Sequence, residues 1–224
     1  QRQMCIRDRE VTVDMSASLN RVIRMCFPAA TVVTDRFHVQ QLANDALQDL
    51  RIGRRWEVLE QENERYRQAK LQGTDYEPRE LENGETLKRL MVNSRFALMK
   101  PYNKLYESQK ARLHILLRLF PDIRKGYCLV QQLRNIYNRH CEPSVARLRL
   151  AKWYDRLIEA KLGTFKTVAE TLEKYNCSII NYFENRATNA AAESFNAKIK
   201  AFRAQFRGVA DIPFFLFRVC KIYA

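Results

Sequence analysis

Two aspartates follow segments that are predicted to be short buried strands. EVTV at 10–13 is β-branched and apolar and precedes Asp14, and ATVVT at 30–34 precedes Asp35. Carboxylates are the side chains that hold hard divalent cations and carry general acid or base chemistry. Each aspartate could instead simply end its strand or cap the next helix. Asp14 and Asp35 are therefore candidate catalytic acids, with strand ending and helix capping as the alternative.

The segment between the two strands predicts the element that would bring these acids to one edge. Ser16 is a suitable N-cap for a helix that carries Leu19, Val22, Ile23 and Cys26 on one face and stops at Phe27-Pro28. A strand, a helix and a second strand in this order form a parallel α/β unit. The carboxyl ends of parallel strands are where such sheets place ligands and catalytic groups.

A third acid, Glu193, lies near the start of a late helix. Thr188 or Asn189 is predicted to cap this helix, which runs to about Arg207 and closes at Gly208. At 100° per residue, two stripes lie on nearly opposite faces. The apolar stripe consists of Phe195, Ile199, Phe202 and Phe206, and the polar stripe of Glu193, Asn196, Lys200, Arg203 and Arg207. The polar stripe is either a functional surface or a solvated face with a glutamate favoured by the helix dipole.

The rest of the chain is predicted to be helical. A long apolar stripe begins after Asp35 and extends through Trp56 and Leu59, and a polar loop with Gly73, Pro78 and Gly84 interrupts it. Trp56 and Trp153 are interpreted as core anchors rather than as platforms for stacked bases. Pro101, Pro121, Pro143 and Gly163 are predicted breaks. The predicted helices after the loop cover about 85–98, 102–119, 122–140, 143–161 and 164–184.

The charge of the chain favours a polyanionic partner. The 224 residues contain 39 Lys and Arg against 25 Asp and Glu, which gives a net charge of +14. Residues 95–161 have a net charge of +10, whereas residues 60–90 have −2, so the excess is localised. Nucleic acid is the commonest partner of such a surface. No apolar run is long enough to span a membrane.

Cysteines and the first residues contribute little to this assignment. The six cysteines are scattered without a CxxC pair, so they are interpreted as reduced thiols of a cytosolic protein. Cys128 with His140-Cys141 lacks a second ligand pair at zinc-finger spacing. Residues 1–9 (QRQMCIRDR) do not continue the pattern that follows, and we interpret them as a non-native or adaptor-derived segment.

Three motifs together resemble the carboxyl-terminal part of a bacterial insertion-sequence DDE transposase of the ISL group. They are DMS from Asp14, FPAATVVTDRFHV from Phe27 to Val39, and TNAAAESFNAKIK from Thr188 to Lys200. The resemblance implies an RNase H-like α/β core, here lacking its first strands, that is interrupted by a large all-helical insertion. The implied divisions are 10–36 and 187–224 for the core and 37–186 for the insertion.

The resemblance also implies the chemistry. In this family three acids, Asp, Asp and Glu, hold two Mg²⁺ or Mn²⁺ ions that clamp an in-line displacement at phosphorus. Asp14 matches the second acid and Glu193 the third, while no residue matches the first Asp, so the chain is expected to be inactive alone. Asp35 and His38 match a D-x-x-H signature; His38 is interpreted as packed under its helix rather than as ordering Asp35 or contacting DNA.

The expected partner is double-stranded DNA, both as element ends and as target. Asn196 is expected to orient the carboxylate of Glu193 or to bind a phosphate, and a cationic row is expected to follow the DNA backbone. That row is Lys198, Lys200, Arg203 and Arg207. Joining two ends implies a homodimer or a larger assembly, located in the cytoplasm with the nucleoid. The alternative functions are a non-catalytic DNA-binding remnant that competes with intact transposase, and a helical protein-interaction module.

Overall fold

The computed structural model describes residues 10–186, 190–205 and 211–223. It is 77% helical and contains a small two-stranded parallel sheet, which confirms the mostly helical prediction. The chain divides into two compact units, Gln1–Asn185 and Arg186–Ala224. Both the predicted core segment 10–36 and the predicted insertion 37–186 fall almost wholly within the first unit. The RNase H-like core and its insertion therefore stay a prediction.

The sheet has the predicted strand, helix, strand order. Strand β1 (Glu10–Val13) pairs in parallel with β2 (Thr31–Thr34), and Val13 lies opposite Thr34. Helix α1 (Ala17–Cys26) connects them, and the Ser16 hydroxyl accepts a hydrogen bond from the Leu19 backbone N–H, so the predicted N-cap is confirmed. Strand β2 begins one residue later than predicted. The pairing brings the carboxyl ends of both strands to one edge.

The apolar face predicted for α1 is largely uncovered. Ile23 is its only buried residue, whereas Leu19, Val22 and Cys26 are exposed. The four residues were predicted to share one face of the helix, and only Ile23 of that face is packed against other elements. Among the described residues the sheet has two strands, and a surface this narrow covers only one position of the helix.

Helices form the rest of the first unit. Helix α2 (Arg36–Leu71) has 36 residues and is therefore about 54 Å long. The segment after it is a loop in which Gly73 and Gly84 adopt left-handed φ values of 70° and 72°, as turn glycines do. The helices that follow are α3 (Leu87–Asn93), α4 (Arg95–Met99), α5 (Glu107–Leu119), α6 (Pro121–Asn138), α7 (Pro143–Ala160), α8 (Lys166–Lys174) and α9 (Asn176–Asn185).

The predicted proline breaks are confirmed, but the helix predicted from 102 begins only at Glu107 and two other predicted helices are divided. Pro121 and Pro143 each occupy the first turn of a helix, where a missing N–H costs nothing. The helix predicted over 85–98 breaks at buried Ser94, whose hydroxyl donates to the Leu90 carbonyl in competition with the helical backbone. The helix predicted over 164–184 breaks at Tyr175, whose carbonyl accepts from the Ser178 hydroxyl at 2.9 Å.

The core lies around the first half of α2, which packs against α3, α4, α6 and α8. Trp153 on α7 is 2% exposed and its Nε1 donates to the Leu129 carbonyl at 2.8 Å, which confirms its prediction as a core anchor. The same prediction for Trp56 was wrong, since this side chain is 60% exposed. Val58 is the last buried residue of α2, and the helix continues to Leu71 through a mostly polar sequence.

An ion pair fastens the loop between α2 and α3 to α5. Arg112 binds Glu85 with both ends of its guanidinium, through Nη2 to Oε1 at 2.7 Å and Nε to Oε2 at 2.9 Å. The Arg112 guanidinium lowers the pKa of Glu85 from its ordinary value of 4.5 to about 2, helped by Asn93 and Asn83. Because the pKa is lowered in the folded state, this stabilisation is complete above pH 4.5 and is lost as pH falls towards 2.

We expect Glu85→Gln to reduce the free energy of unfolding by about 2 kcal/mol at pH 7. The difference between variant and wild type should shrink steadily as the pH falls from 4.5 to about 2, because the wild-type carboxylate is then also neutral. Urea unfolding across this pH range measures it. Glu107→Gln is the matched control, since the Glu107 side chain is 88% exposed and its loss should change little.

The second unit contains helices α10 (Ala190–Gln205) and α11 (Ile212–Tyr223). Phe202 is buried and its ring stacks on Phe215 with centroids 5.7 Å apart, as expected for the apolar stripe. The predicted caps Thr188 and Asn189 lie outside the described residues, as do Phe206, Arg207 and Gly208. Within the described ranges, no helix is both long enough and apolar enough to cross a membrane.

Candidate active site

Asp14 and His38 meet at the carboxyl end of the sheet. Asp14 follows the last residue of β1, and His38 lies in the first turn of α2, two residues after that helix begins. His38 Nε2 lies 2.6 Å from Asp14 Oδ1. A carboxylate only accepts hydrogen bonds, so Nε2 carries the proton and donates. The contact fixes one carboxylate oxygen, and the Asp14 side chain remains 46% exposed.

This contact corrects the interpretation of His38. The sequence favoured a histidine packed under its helix, with ordering of Asp35 as the alternative. Its side chain is instead 31% exposed and orders Asp14. Sequence spacing gave no sign of this pairing, because the two residues are brought together only by the parallel pairing of β1 and β2.

Asp35 has a different position from Asp14 although both follow strands. It is 3% exposed, and its Oδ1 accepts a hydrogen bond from the Phe37 backbone N–H at 2.8 Å. Its own backbone N–H donates to the Val13 carbonyl at 3.1 Å, which extends the sheet by one residue. Of the two interpretations of Asp35, catalytic acid or helix cap, the structure therefore supports the helix cap. As the N-cap of α2, it fixes the turn that presents His38 to Asp14.

Helix α9 holds β2 in place beneath this edge. The hydroxyls of Thr34 and Ser178 are hydrogen-bonded at 2.7 Å, and the Asn181 side-chain amide donates to the Val32 carbonyl at 2.9 Å. The Asn185 amide donates to Glu10 Oε2 at 2.8 Å, which secures β1 as well. These α9 side chains were not among the residues predicted to be functional. Their recurrence at 178, 181 and 185 follows helical spacing and was the available signal.

A basic groove of about 630 Å³ runs between α1 and α9. Arg21, Arg24 and Lys174 line it together with the amides of Asn20 and Asn181, and no acidic residue is among its lining residues in the described chain. None of the three cations forms an ion pair with a described carboxylate. The groove reaches Ala17, one turn after Asp14. This groove was not predicted, although the i, i+3 spacing of Arg21 and Arg24 was a signal for it.

Glu193 belongs to the second unit, on α10, and its side chain lies outside the described set. The side chains of Asn196, Lys200 and Arg203 are exposed, as predicted for the polar stripe, and Lys198 of the predicted cationic row is exposed as well. Ile199 is half-buried on the other face. Helix α10 therefore presents an amide and three cations to solvent.

The described residues contain no group of three or more Asp, Glu, His or Cys side chains that could hold a metal ion. Asp14 and His38 form a pair, not a complete site. The second Asp14 oxygen, Oδ2, makes no hydrogen bond within the described ranges. A half-exposed carboxylate with one oxygen fixed and the other available is suited to act as one ligand of Mg²⁺, which binds one or two carboxylates and keeps several waters.

The family model for DDE transposases of the ISL type, described as "Transposase", matches residues 3–219. This chain belongs to that transposase family. The match covers both units, including Asp14 at the end of β1 and the helix that carries Glu193. The assignment from the three sequence motifs is confirmed.

Two curated transposases are similar to this chain at low identity. The transposase for insertion sequence element IS1001 of Bordetella parapertussis is 24% identical over 214 residues, which are 95% of this chain and 47% of the relative. The transposase for insertion sequence element IS1557 of Mycobacterium tuberculosis is 23% identical over 193 residues, 85% of this chain and 42% of the relative. The chain thus spans less than half the length of these transposases. No solved structure matches it.

Proposed function

We propose that this chain is part of a transposase that cuts the ends of an insertion sequence and joins them to target DNA, with Asp14 as a metal-binding carboxylate. The observation that carries the proposal is the contact of Asp14 with His38 at the carboxyl end of β1. An aspartate with a structural role at the end of a strand typically caps the next helix by accepting a hydrogen bond from a backbone N–H, as Asp35 does. Among the described residues Asp14 caps no helix and its Oδ2 has no hydrogen-bond partner, which leaves that oxygen suited to bind a ligand.

Mg²⁺ or Mn²⁺ would be held by Asp14, Glu193 and an aspartate from the part of the transposase that precedes these motifs. When bound, two such ions activate the attacking water or 3′-hydroxyl and stabilise the leaving oxygen at phosphorus. Histidine is a poor ligand for so hard a cation, so His38 is assigned a positioning role. It keeps the Asp14 carboxylate in one orientation, and Asp35 keeps His38 at the start of α2.

DNA would be bound through its phosphates by two sets of cations. One set is the basic groove, where Arg21, Arg24 and Lys174 have no acidic partner among the described residues. The other is on α10, where the exposed Lys198, Lys200 and Arg203, with Arg207, would follow the backbone and Asn196 would bind a phosphate or orient Glu193. Contacts of this kind fix the register of the duplex without reading its sequence.

Cleavage of an element-end duplex by the full-length transposase, with Mg²⁺, tests this function. We expect Glu193→Gln to lower the cleavage rate by at least about a hundredfold, because an amide cannot replace a carboxylate at the metal. DNA binding without metal should be retained. Glu184→Gln on α9 is the control, since it makes the same change at an exposed glutamate that carries no assigned role. Full activity of Glu193→Gln would refute the assignment.

A further inference from the structure

The second half of α2 carries a stripe of side chains that the rest of the described chain leaves largely exposed. Five residues at spacings of 4, 3, 4 and 3 form it, and we call it the α2 stripe: Ile52, Trp56, Leu59, Asn63 and Tyr66. Trp56 is 60% exposed, Tyr66 59% and Ile52 38%, while Leu59 is half-buried. At 100° per residue, Trp56 and Val58 point about 160° apart, so the stripe faces away from the core that buries Val58.

Alternating spacings of 3 and 4 are the signature of a coiled-coil seam. Trp56 and Asn63 then occupy a positions, and Ile52, Leu59 and Tyr66 occupy d positions. Two large aromatic side chains in water are costly to leave exposed unless another surface covers them. Asn63 lies in the middle of the seam. A single asparagine at an a position fixes the axial alignment of a parallel two-stranded coiled coil, because it pairs best with the same asparagine of the other helix.

The charges beside the stripe are self-complementary. Arg55 and Glu62 occupy g positions, and Glu60 and Arg67 occupy e positions. In a parallel pair in register, each g residue meets the e residue of the next heptad on the other helix, so Arg55 meets Glu60 and Glu62 meets Arg67. An antiparallel pair that aligns Trp56 with Tyr66 and Leu59 with Asn63 would instead bring Glu62 close to Glu62 and Glu60 close to Glu60.

These charges are available for such pairing. Arg55, Glu60 and Glu62 form no ion pair with the described part of the chain. Arg67 has a contact of 3.8 Å with Glu64, and both side chains are exposed, so this contact is weak and easily exchanged.

We propose that a second copy of this chain docks along the α2 stripe, forming a short parallel two-stranded coiled coil over residues 52–70. The partner is a second copy because each feature of the stripe matches the same feature of an identical helix. The apolar residues meet apolar residues, Asn63 meets Asn63, and each flanking charge meets one of opposite sign. The coiled coil is about 28 Å long. It does not depend on the catalytic role of Asp14 or Glu193, and it joins two copies whether or not either one cleaves DNA.

Sedimentation of the chain over a roughly hundredfold range of protein concentration tests the interface, since a homodimer dissociates on dilution. We expect a monomer–dimer equilibrium in the wild type and a monomer throughout in Trp56→Ala/Tyr66→Ala. The control is Gln61→Ala/Gln68→Ala, which changes two exposed residues on the same helix outside the seam and should leave the dimer unchanged. Far-UV circular dichroism verifies that each variant folds. A monomeric wild type, or a dimer indifferent to loss of both aromatics, overturns the proposal.

A charge exchange tests the parallel arrangement. Glu62→Lys alone and Arg67→Glu alone should each weaken the dimer by about tenfold, because each reversal turns two symmetric attractions into repulsions. The double variant Glu62→Lys/Arg67→Glu should recover wild-type affinity, since the pair is restored with its signs exchanged. Failure of the double variant to recover would overturn the parallel register.

Discussion

Asp14→Asn is expected to lower the rate of strand cleavage by the full-length transposase on the order of a thousandfold. Asparagine has nearly the same shape, and its carbonyl oxygen can still accept the hydrogen bond from His38 Nε2. Only the charge is lost, so folding should be unchanged at this half-exposed position. Single-turnover cleavage of an element-end duplex measures the rate. Mn²⁺ binding measured by calorimetry gives an independent readout, and affinity should fall with the rate.

The control for Asp14→Asn is Asp49→Asn on α2, which removes one negative charge from an exposed position of the same unit. It should retain both the cleavage rate and the Mn²⁺ affinity. Equal effects of the two substitutions would mean that general charge, and not the position of Asp14, is what matters. Cleavage at the wild-type rate by Asp14→Asn would exclude Asp14 from the metal site.

Variants of His38 separate positioning from ligation. His38→Ala frees the Asp14 carboxylate and should weaken Mn²⁺ binding by about 10- to 100-fold, the effect of losing a group that orients a ligand. His38→Gln retains an N–H donor of similar reach and should recover part of that loss. If His38→Gln were no better than His38→Ala, the hydrogen bond to Asp14 would not be the source of the effect.

The local sequence was sufficient to predict the sheet and its connecting helix. EVTV and ATVVT are too β-branched and too short for helices, and Ser16 and Asp35 cap the helices that follow them. What local sequence could not assign was the difference between Asp14 and Asp35. Both residues follow a strand. In three dimensions, His38 lies 2.6 Å from Asp14, whereas Asp35 accepts a hydrogen bond from a backbone N–H of α2.

The apolar periodicity identified the helices but not which residues of each helix are buried by other elements. The apolar repeat of α2 includes Ile52 and Trp56 as well as Val39 and Ala43, so helical spacing alone does not show that the first two are exposed and the last two buried. The same is true of α1, whose apolar face is regular although Ile23 alone is buried. Burial depends on which other elements lie alongside, and helical spacing carries no information about them.

The two tryptophans provide a direct test of that distinction. Trp153→Ala is expected to destabilise the chain by about 4 kcal/mol, because it leaves a cavity in the core and removes the Nε1 hydrogen bond to the Leu129 carbonyl. In a chain of this size the loss corresponds to a fall in melting temperature of roughly 10 °C. Trp153→Phe should lose less, since most of the ring volume remains.

Trp56→Ala is the matched control, and its effect on the free energy of unfolding should stay within about 0.5 kcal/mol. The measurement is far-UV circular dichroism during urea and thermal unfolding, at protein concentrations low enough to keep the chain monomeric. Dilution matters because Trp56 belongs to the α2 stripe, and dimerisation would add a concentration-dependent stability that the variant lacks. Equal destabilisation by both alanine variants would contradict the exposed position of Trp56 on α2. A large loss for Trp153 alone, with Trp56 affecting only self-association, assigns one tryptophan to the core and the other to the interface.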